Sequence, residues 1–242
     1  MCGRLTREQG ADMEFSERHR LSGADLDLLN LGLTWNAAPG QPLPVIVEDA
    51  QGRPHVRHMQ WGLRARHGDG PKPINARAET LLQRAMFRNL VPSRRCLVPA
   101  TGWYEWRPEG GKRQPYYLSV TDHPLFTFAG LYDAWIDNDG AVVGSYCIIT
   151  TTPAPSIAHV HDRMPVVLAP DDEARWLDRG LRDPRAVLPL LRAYPDDRLT
   201  SHRVGAGVNR TGNDGPDLIR FAGGRLAIEP AVTQVAMALG AA

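Results

Sequence analysis

The sequence predicts an α+β fold in a single domain, with a mostly antiparallel, barrel-like β-sheet core and flanking helices. Three observations carry this expectation. Strand-like runs follow one another in meander order through the middle of the chain, and helix-like segments gather towards the ends. No Pro/Ser-rich linker divides the 242 residues. With 43% hydrophobic residues the chain can bury a core without a disulfide or a metal.

The elements are read in order. Thr6 is placed to cap a helix from about Arg7 to Arg20, followed by a short helix near Ala24 to Asn30. Val45 to Glu48 and Val56 to Trp61 alternate as two strands around a Gln51-Gly52 turn. Gly62 to Pro73, rich in Gly, Pro and Arg, reads as an irregular loop. Leu81, Leu82, Ala85 and Met86 fall at helical spacing and predict a helix from Glu79 to Asn89.

Five strands are then expected: Cys96 to Ala100, Gly102 to Arg107, Pro115 to Val120, Leu125 to Trp135 and Val142 to Thr151. Turns at Glu109-Gly110-Gly111 and Asp137-Asn138-Asp139-Gly140 interrupt them. Met164 to Leu168 reads as a short strand, Asp171 to Asp178 and Pro184 to Tyr194 as helices, and Ser201 to Gly205 as a late strand. The Ala- and Gly-rich residues 220–242 read as an appendage to a domain spanning 1–219.

Bulk charge neither demands nor excludes a nucleic-acid partner, because 28 basic residues face 27 acidic ones. Any such contact must rest on a local basic groove. The basic residues are nearly all arginine, Lys72 and Lys112 excepted; codon bias accounts for most of this. Three cysteines, Cys2, Cys96 and Cys147, with no CxxC pair argue against a disulfide framework and a cysteine-based zinc site. No apolar run is long enough for a signal peptide or a membrane span, so a cytoplasmic protein is expected.

Four clusters offer chemistry. The chain begins Met1-Cys2-Gly3-Arg4. Initiator methionine is removed ahead of small residues, and its loss would leave Cys2 with a free 1,2-aminothiol. An aldehyde condenses with such an amine to an imine, and the thiol closes a five-membered thiazolidine on the same carbon. An α-amine titrates near ~7.7–8.0, so a useful fraction is nucleophilic at neutral pH. Taken alone, a cysteine at position 2 reads as an accident of sequence.

Asn75-Ala76-Arg77-Ala78-Glu79 would alternate Asn75, Arg77 and Glu79 to one side if extended, or form a helix start with surface charges. Glu105 stands in Trp103-Tyr104-Glu105-Trp106. Burial against those rings would raise its pKa into general acid–base range, whereas on an edge strand it would face water. His159, His161 and Arg163 share a side if extended, and His161 suits proton transfer near neutral pH. A metal reading of His-x-His lacks completing ligands.

Taken together, these segments resemble the SRAP family (SOS response-associated peptidases, abasic-site shields). The resemblance rests on Met1-Cys2-Gly3-Arg4, Asn36-Ala37-Ala38-Pro39-Gly40, Trp61-Gly62, Asn75-Ala76-Arg77-Ala78-Glu79-Thr80, Gly102-Trp103-Tyr104-Glu105-Trp106 and His161-Asp162-Arg163-Met164-Pro165, in that order. Val208-Asn209 resembles the closing motif, and the likeness spans about Cys2 to Ile219.

The resemblance implies binding of single-stranded DNA carrying an abasic site and a thiazolidine crosslink through Cys2. It implies that Asn75 positions the nucleophile and that Glu105 is the carboxylate beside the amine. His161 would act near the opened sugar, Arg4 and Arg77 would contact phosphates, and Pro39, Gly40 and Met86 would line or wedge the DNA. No metal, cofactor or obligate protein partner is implied, and a monomer close to the nucleoid is expected. Two other classes remain: a Cys2-dependent peptidase, as the family name suggests, and a passive single-strand binder. Only Met1 precedes Cys2 here, so an aminopeptidase suffices to expose it.

Overall fold

The computed structural model describes residues 2–10, 13–64, 70–136 and 140–223. The strands are, in order, β1 (Leu5–Arg7), β2 (Thr34–Ala37), β3 (Pro42–Glu48), β4 (Pro54–Trp61), β5 (Asn75–Arg77), β6 (Arg95–Ala100) and β7 (Gly102–Glu109). They continue as β8 (Lys112–Val120), β9 (Phe126–Ile136), β10 (Val142–Thr151), β11 (Met164–Pro165), β12 (Val167–Leu168) and β13 (Leu199–Arg203). The helices are α1 (Met13–Arg18), α2 (Gly23–Asn30), α3 (Ala85–Arg88), α4 (Pro155–Ala158), α5 (Pro170–Leu177) and α6 (Pro184–Val187).

Strands β4, β3, β6, β9 and β10 close on themselves. Each pairs antiparallel with the next, and β10 returns to β4 in parallel through Ser145↔Gln60 and Tyr146↔Trp61. β5 lies parallel to β10 outside this ring, with Asn75 opposite Ile148. A second sheet has the order β13-β8-β7-β1-β2. The α+β expectation with a barrel-like core therefore holds.

Strand alternation sorts the side chains. Val45, Val47, Cys96, Val98, Phe128, Tyr146 and Ile148 point into one core, which continues under the second sheet through Leu5, Trp103 and Leu118. Their neighbours Ile46, Leu97, Leu131, Cys147 and Ile149 point outward, under helices that contribute Phe15, Leu29, Phe87 and Trp176. Each fully buried large apolar side chain contributes about 1.5–3 kcal/mol. That is why the meander from Cys96 to Thr151 was readable from its apolar spacing.

Several expectations are corrected. The helix expected over Arg7–Arg20 is α1 alone, and Thr6 is no cap. It lies buried in β1, its hydroxyl 2.9 Å from that of Thr101 and 3.1 Å from that of Tyr117. The Glu79–Asn89 helix is broken: a 3₁₀ turn covers Ala78–Thr80, and Arg84 is extended before α3. Of the residues that set its apolar spacing, Leu81 reaches the outer core and Met86 packs against it, whereas Leu82 and Ala85 are exposed. The Pro184–Tyr194 helix ends at Val187 and continues as a 3₁₀ turn over Leu188–Leu190.

Met164–Leu168 is two strands, because β11 pairs with β10 whereas β12 crosses to β9. The late strand starts earlier, at Leu199, and ends at Arg203. The Glu109-Gly110-Gly111 turn joins β7 to β8, with both glycines at positive φ. Of the Asp137–Gly140 turn, residues 137–139 lie outside the described residues, as do 65–69 of the expected loop and 224–242 of the expected tail.

Candidate functional site

β1 carries the N-terminus into the core. It pairs antiparallel with β7 through Leu5↔Trp103, a register that runs Gly3 towards Glu105. Cys2 is fully buried and belongs to the inner core. Burial, and after it the Glu105 carboxylate nearby, pushes the Cys2 thiol well above the ordinary thiol range.

Glu105 alternates with Tyr104 and Trp106 and so shares the inward face of β7 with Trp103. It is 2% exposed. The water-facing alternative is thereby excluded, and burial pushes the carboxyl up to about 7. His161 reaches the same place from the turn between α4 and β11. Its Nε2 stands 3.8 Å from Glu105 Oε2.

At Nδ1 two neighbours compete. The Arg163 backbone N–H donates to it across 3.0 Å, and an Asp162 carboxylate oxygen lies 2.9 Å away. The amide is fixed by the chain, whereas Asp162 is an exposed side chain. The amide therefore sets the neutral ring's lone pair at Nδ1 and its proton at Nε2, facing Glu105. Burial holds the His161 pKa below the usual imidazole value.

Asn75 sits on β5 with its Oδ1 buried and without a hydrogen-bond partner among the described residues. Its neighbour Ala76 belongs to the outer core, so Asn75 faces the inner side, where its strand partner Ile148 and Cys2 both lie. An orphan acceptor here costs about 1–3 kcal/mol unless a donor arrives. Asn75, Arg77 and Met86 line one groove of about 530 Å³, together with Pro73, Thr80 and Arg84. The exposed Arg77 and Arg84 give this groove its charge.

The other three expected contacts, Pro39, Gly40 and Arg4, are not among the residues that line this groove. Pro39 and Gly40 form an exposed turn between β2 and β3, held by Gly40 N–H donating to the Trp61 carbonyl at 2.7 Å. Arg4 turns to the opposite face of β7, where its guanidinium lies 6.0 Å from the Trp106 ring centroid. There it donates to Asn36 Oδ1 at 2.6 Å and the Val208 carbonyl at 2.7 Å. Asn36 in turn donates to the Arg210 and Asn213 carbonyls. The Asn36 and Val208-Asn209 motifs thus tie the closing segment to β2, and Trp106 Nε1 donates to Asn209 Oδ1 at 2.7 Å.

The extended alignment of His159, His161 and Arg163 does not form. His159 ends α4, and Arg163 instead donates two hydrogen bonds to the Glu79 carboxylate. Sequence reading missed Arg84 and the Glu79–Arg163 pair. Arg84 had a signal, standing two residues before Met86; Glu79 read as a surface charge. Among the described residues no group of three or more His, Cys, Asp or Glu side chains could hold a metal ion. No described helix is long and apolar enough to cross a membrane.

Residues 1–211 match the family of SOS response associated peptidases, SRAP. The chain belongs to the SRAP family. The abasic site processing protein YoqW of Bacillus subtilis is 36% identical over 191 residues, covering 77% of this chain and 85% of that one. The abasic site processing protein HMCES of Xenopus tropicalis is 31% identical over 218 residues, covering 76% of this chain and 64% of its own. Solved structures share this fold. A Bacteroides thetaiotaomicron protein superposes with a TM-score of 0.77 at 24% identity, covering 91% of this chain and all of its own. A phage-related protein of Bordetella bronchiseptica gives 0.65 at 26% identity, covering 84% of this chain and 94% of its own.

Proposed function

We propose that this SRAP protein binds single-stranded DNA at an abasic site and captures the sugar's aldehyde as a thiazolidine on Cys2, once Met1 has been removed. The observation that carries this reading is the meeting of a buried N-terminal cysteine with a carboxyl held near neutrality and a histidine 3.8 Å from it. The names of the relatives supply the substrate class.

The steps follow from the groups present. An abasic deoxyribose is mostly a ring-closed hemiacetal. Opening removes a proton from the C1′ hydroxyl and delivers one to O4′, and the half-buried His161 exchanges these protons. The Glu105 carboxylate takes the ammonium proton of the Cys2 amine. The amine adds to C1′, and Glu105 returns the proton to the hydroxyl, which leaves as water from the resulting carbinolamine.

The Cys2 thiol, kept protonated by burial, then adds to the C=N carbon and passes its proton to the Glu105 carboxylate. The balance is one aldehyde and one aminothiol to one thiazolidine and one water. The high thiol pKa puts nitrogen first and sulfur second. The orphan acceptor Asn75 Oδ1 is suited to receive an amine N–H and hold it in line. Arg77 and Arg84 would bind phosphates without reading sequence.

Intact mass spectrometry of the Met1-free protein with an abasic oligonucleotide tests the reading. The expected product is protein plus oligonucleotide less one water, stable to heat. Cys2→Ala should lose the heat-stable product. Turnover of unrelated peptides with no such adduct would overturn the proposal in favour of a peptidase. Equal affinity for intact and abasic strands with no adduct would overturn it in favour of a passive binder.

A further inference from the structure

We propose that Glu79 is a positioning residue for His161, acting through Arg163. The inference rests on the function proposed above and assigns a part to a pair that reading leaves idle.

Arg163 stands at a junction of three elements. Its Nη1 and Nη2 donate to Glu79 Oε1 and Oε2, each at 2.8 Å, in a two-pronged fork. Nη2 also donates to the Thr150 carbonyl of β10 at 2.7 Å. The fork fixes direction as well as distance, which a lysine in its place would not. Glu79 lies in the 3₁₀ turn directly after β5, so the fork ties the histidine turn to the strand that carries Asn75 and Arg77.

The same residue acts on the imidazole through its backbone. The Arg163 amide donates to His161 Nδ1 at 3.0 Å, which leaves Nε2 carrying the neutral ring's proton towards Glu105. Holding the Arg163 side chain therefore holds its amide, and the amide holds the ring's tautomer and heading. Without Glu79 the guanidinium keeps, among the described residues, only its Thr150 contacts on β10. The turn could then swing, and the exposed Asp162 carboxylate, 2.9 Å from Nδ1, would draw the proton to the wrong nitrogen.

His161 is needed for opening the hemiacetal and has no part in closing the thiazolidine. Disturbing its tautomer should therefore slow capture of a ring-closed sugar and spare capture of an aldehyde that is already open. The test compares single-turnover adduct formation on two oligonucleotides. One carries the natural abasic deoxyribose; the other carries an acyclic aliphatic aldehyde in its place.

Glu79→Gln should slow the natural substrate at least about tenfold and the acyclic aldehyde less than about twofold, as His161→Ala should. Arg163→Lys, which removes the fork and keeps the charge, should show the same split. It carries the test if Glu79→Gln does not fold. Equal slowing of both substrates would overturn the proposal, since loss of DNA affinity or general loosening affects both alike. Unchanged rates on both would overturn it too. Absence of any adduct with the wild-type protein would instead sink the proposed function.

Discussion

Glu105 Oε2 and His161 Nε2 face each other across 3.8 Å, the carboxyl buried on β7 and the imidazole half-buried. Burial pushes the carboxyl up to about 7 and holds the imidazole below its usual value, so burial favours the neutral form of each. The amine step needs the carboxylate. Crosslinking rate should therefore climb as pH rises from ~5.5 and level off above about 7.5. Single-turnover rates across that range check this, and a flat profile would contradict it. Glu105→Gln should lower the plateau by ~10²–10⁴ and leave only the later climb of the amine itself, near ~7.7–8.0.

The same carboxyl should weaken the fold. A carboxyl at about 7 in the folded chain and near 4.5 when unfolded binds more protons folded than unfolded between those values. Stability therefore falls as pH rises through that window and stays reduced above it. The shift corresponds to roughly 3 kcal/mol at most. Glu105→Gln should accordingly be more stable than the wild type at pH 8, by about 1–3 kcal/mol, and should lose that advantage near pH 4. Urea unfolding at both values measures it. A variant less stable at pH 8 would show that the carboxylate is held by compensating contacts.

Much of this was legible in the residues, and the misses have physical causes. The meander strands announce themselves through alternation, because Cys96, Val98 and Ala100 must face one core while Leu97 faces another. β1, β2 and β5 were missed because three or four residues carry no period, and their pairing partners lie far along the chain. Cys2, Glu105 and His161 were legible because each is rare in its setting: a second-position thiol, a carboxylate among rings, a histidine pair. Arg4, expected at a phosphate, also bonds Asn36 and Val208, partners distant in sequence. Nothing local distinguishes an arginine that binds a carbonyl from one that binds a phosphate.

Arg77 and Arg84 should act as separable phosphate contacts. Both are exposed and line the groove with Asn75. On single-stranded DNA each neutralised phosphate contributes about 0.7 to the slope of log affinity against log salt. Arg77→Ala and Arg84→Ala should each flatten that slope by about 0.7 and weaken binding alike across sequences. Arg4→Ala should leave the slope unchanged, because its half-buried guanidinium is already bonded to Asn36 and Val208. Fluorescence anisotropy at several salt concentrations separates these outcomes. A flattened slope in Arg4→Ala would show that Arg4 exchanges its internal partners for phosphate.

Arg95 should matter for stability and leave the chemistry untouched. It shares the outer face of β6 with Leu97, away from the core that holds Cys2. Its buried guanidinium donates to the carbonyls of Val91, Trp176 and Asp178, and lies 5.7 Å from the Trp176 ring centroid. Trp176 and Asp178 end α5, where unpaired carbonyls gather and a cation is favoured. Arg95→Met removes the donors and strands three acceptors, at about 1–3 kcal/mol each where water cannot reach. Relaxation recovers part of this, so a net loss of roughly 3 kcal/mol is expected. Arg95→Lys keeps the charge, but one ammonium cannot span three divergent carbonyls, so most of the loss should remain. Urea midpoints should fall in both variants, while adduct formation well below their melting temperatures should match the wild type. A crosslinking defect at a temperature where the variant is fully folded would mean that α5 and β6 hold the Cys2 core in place.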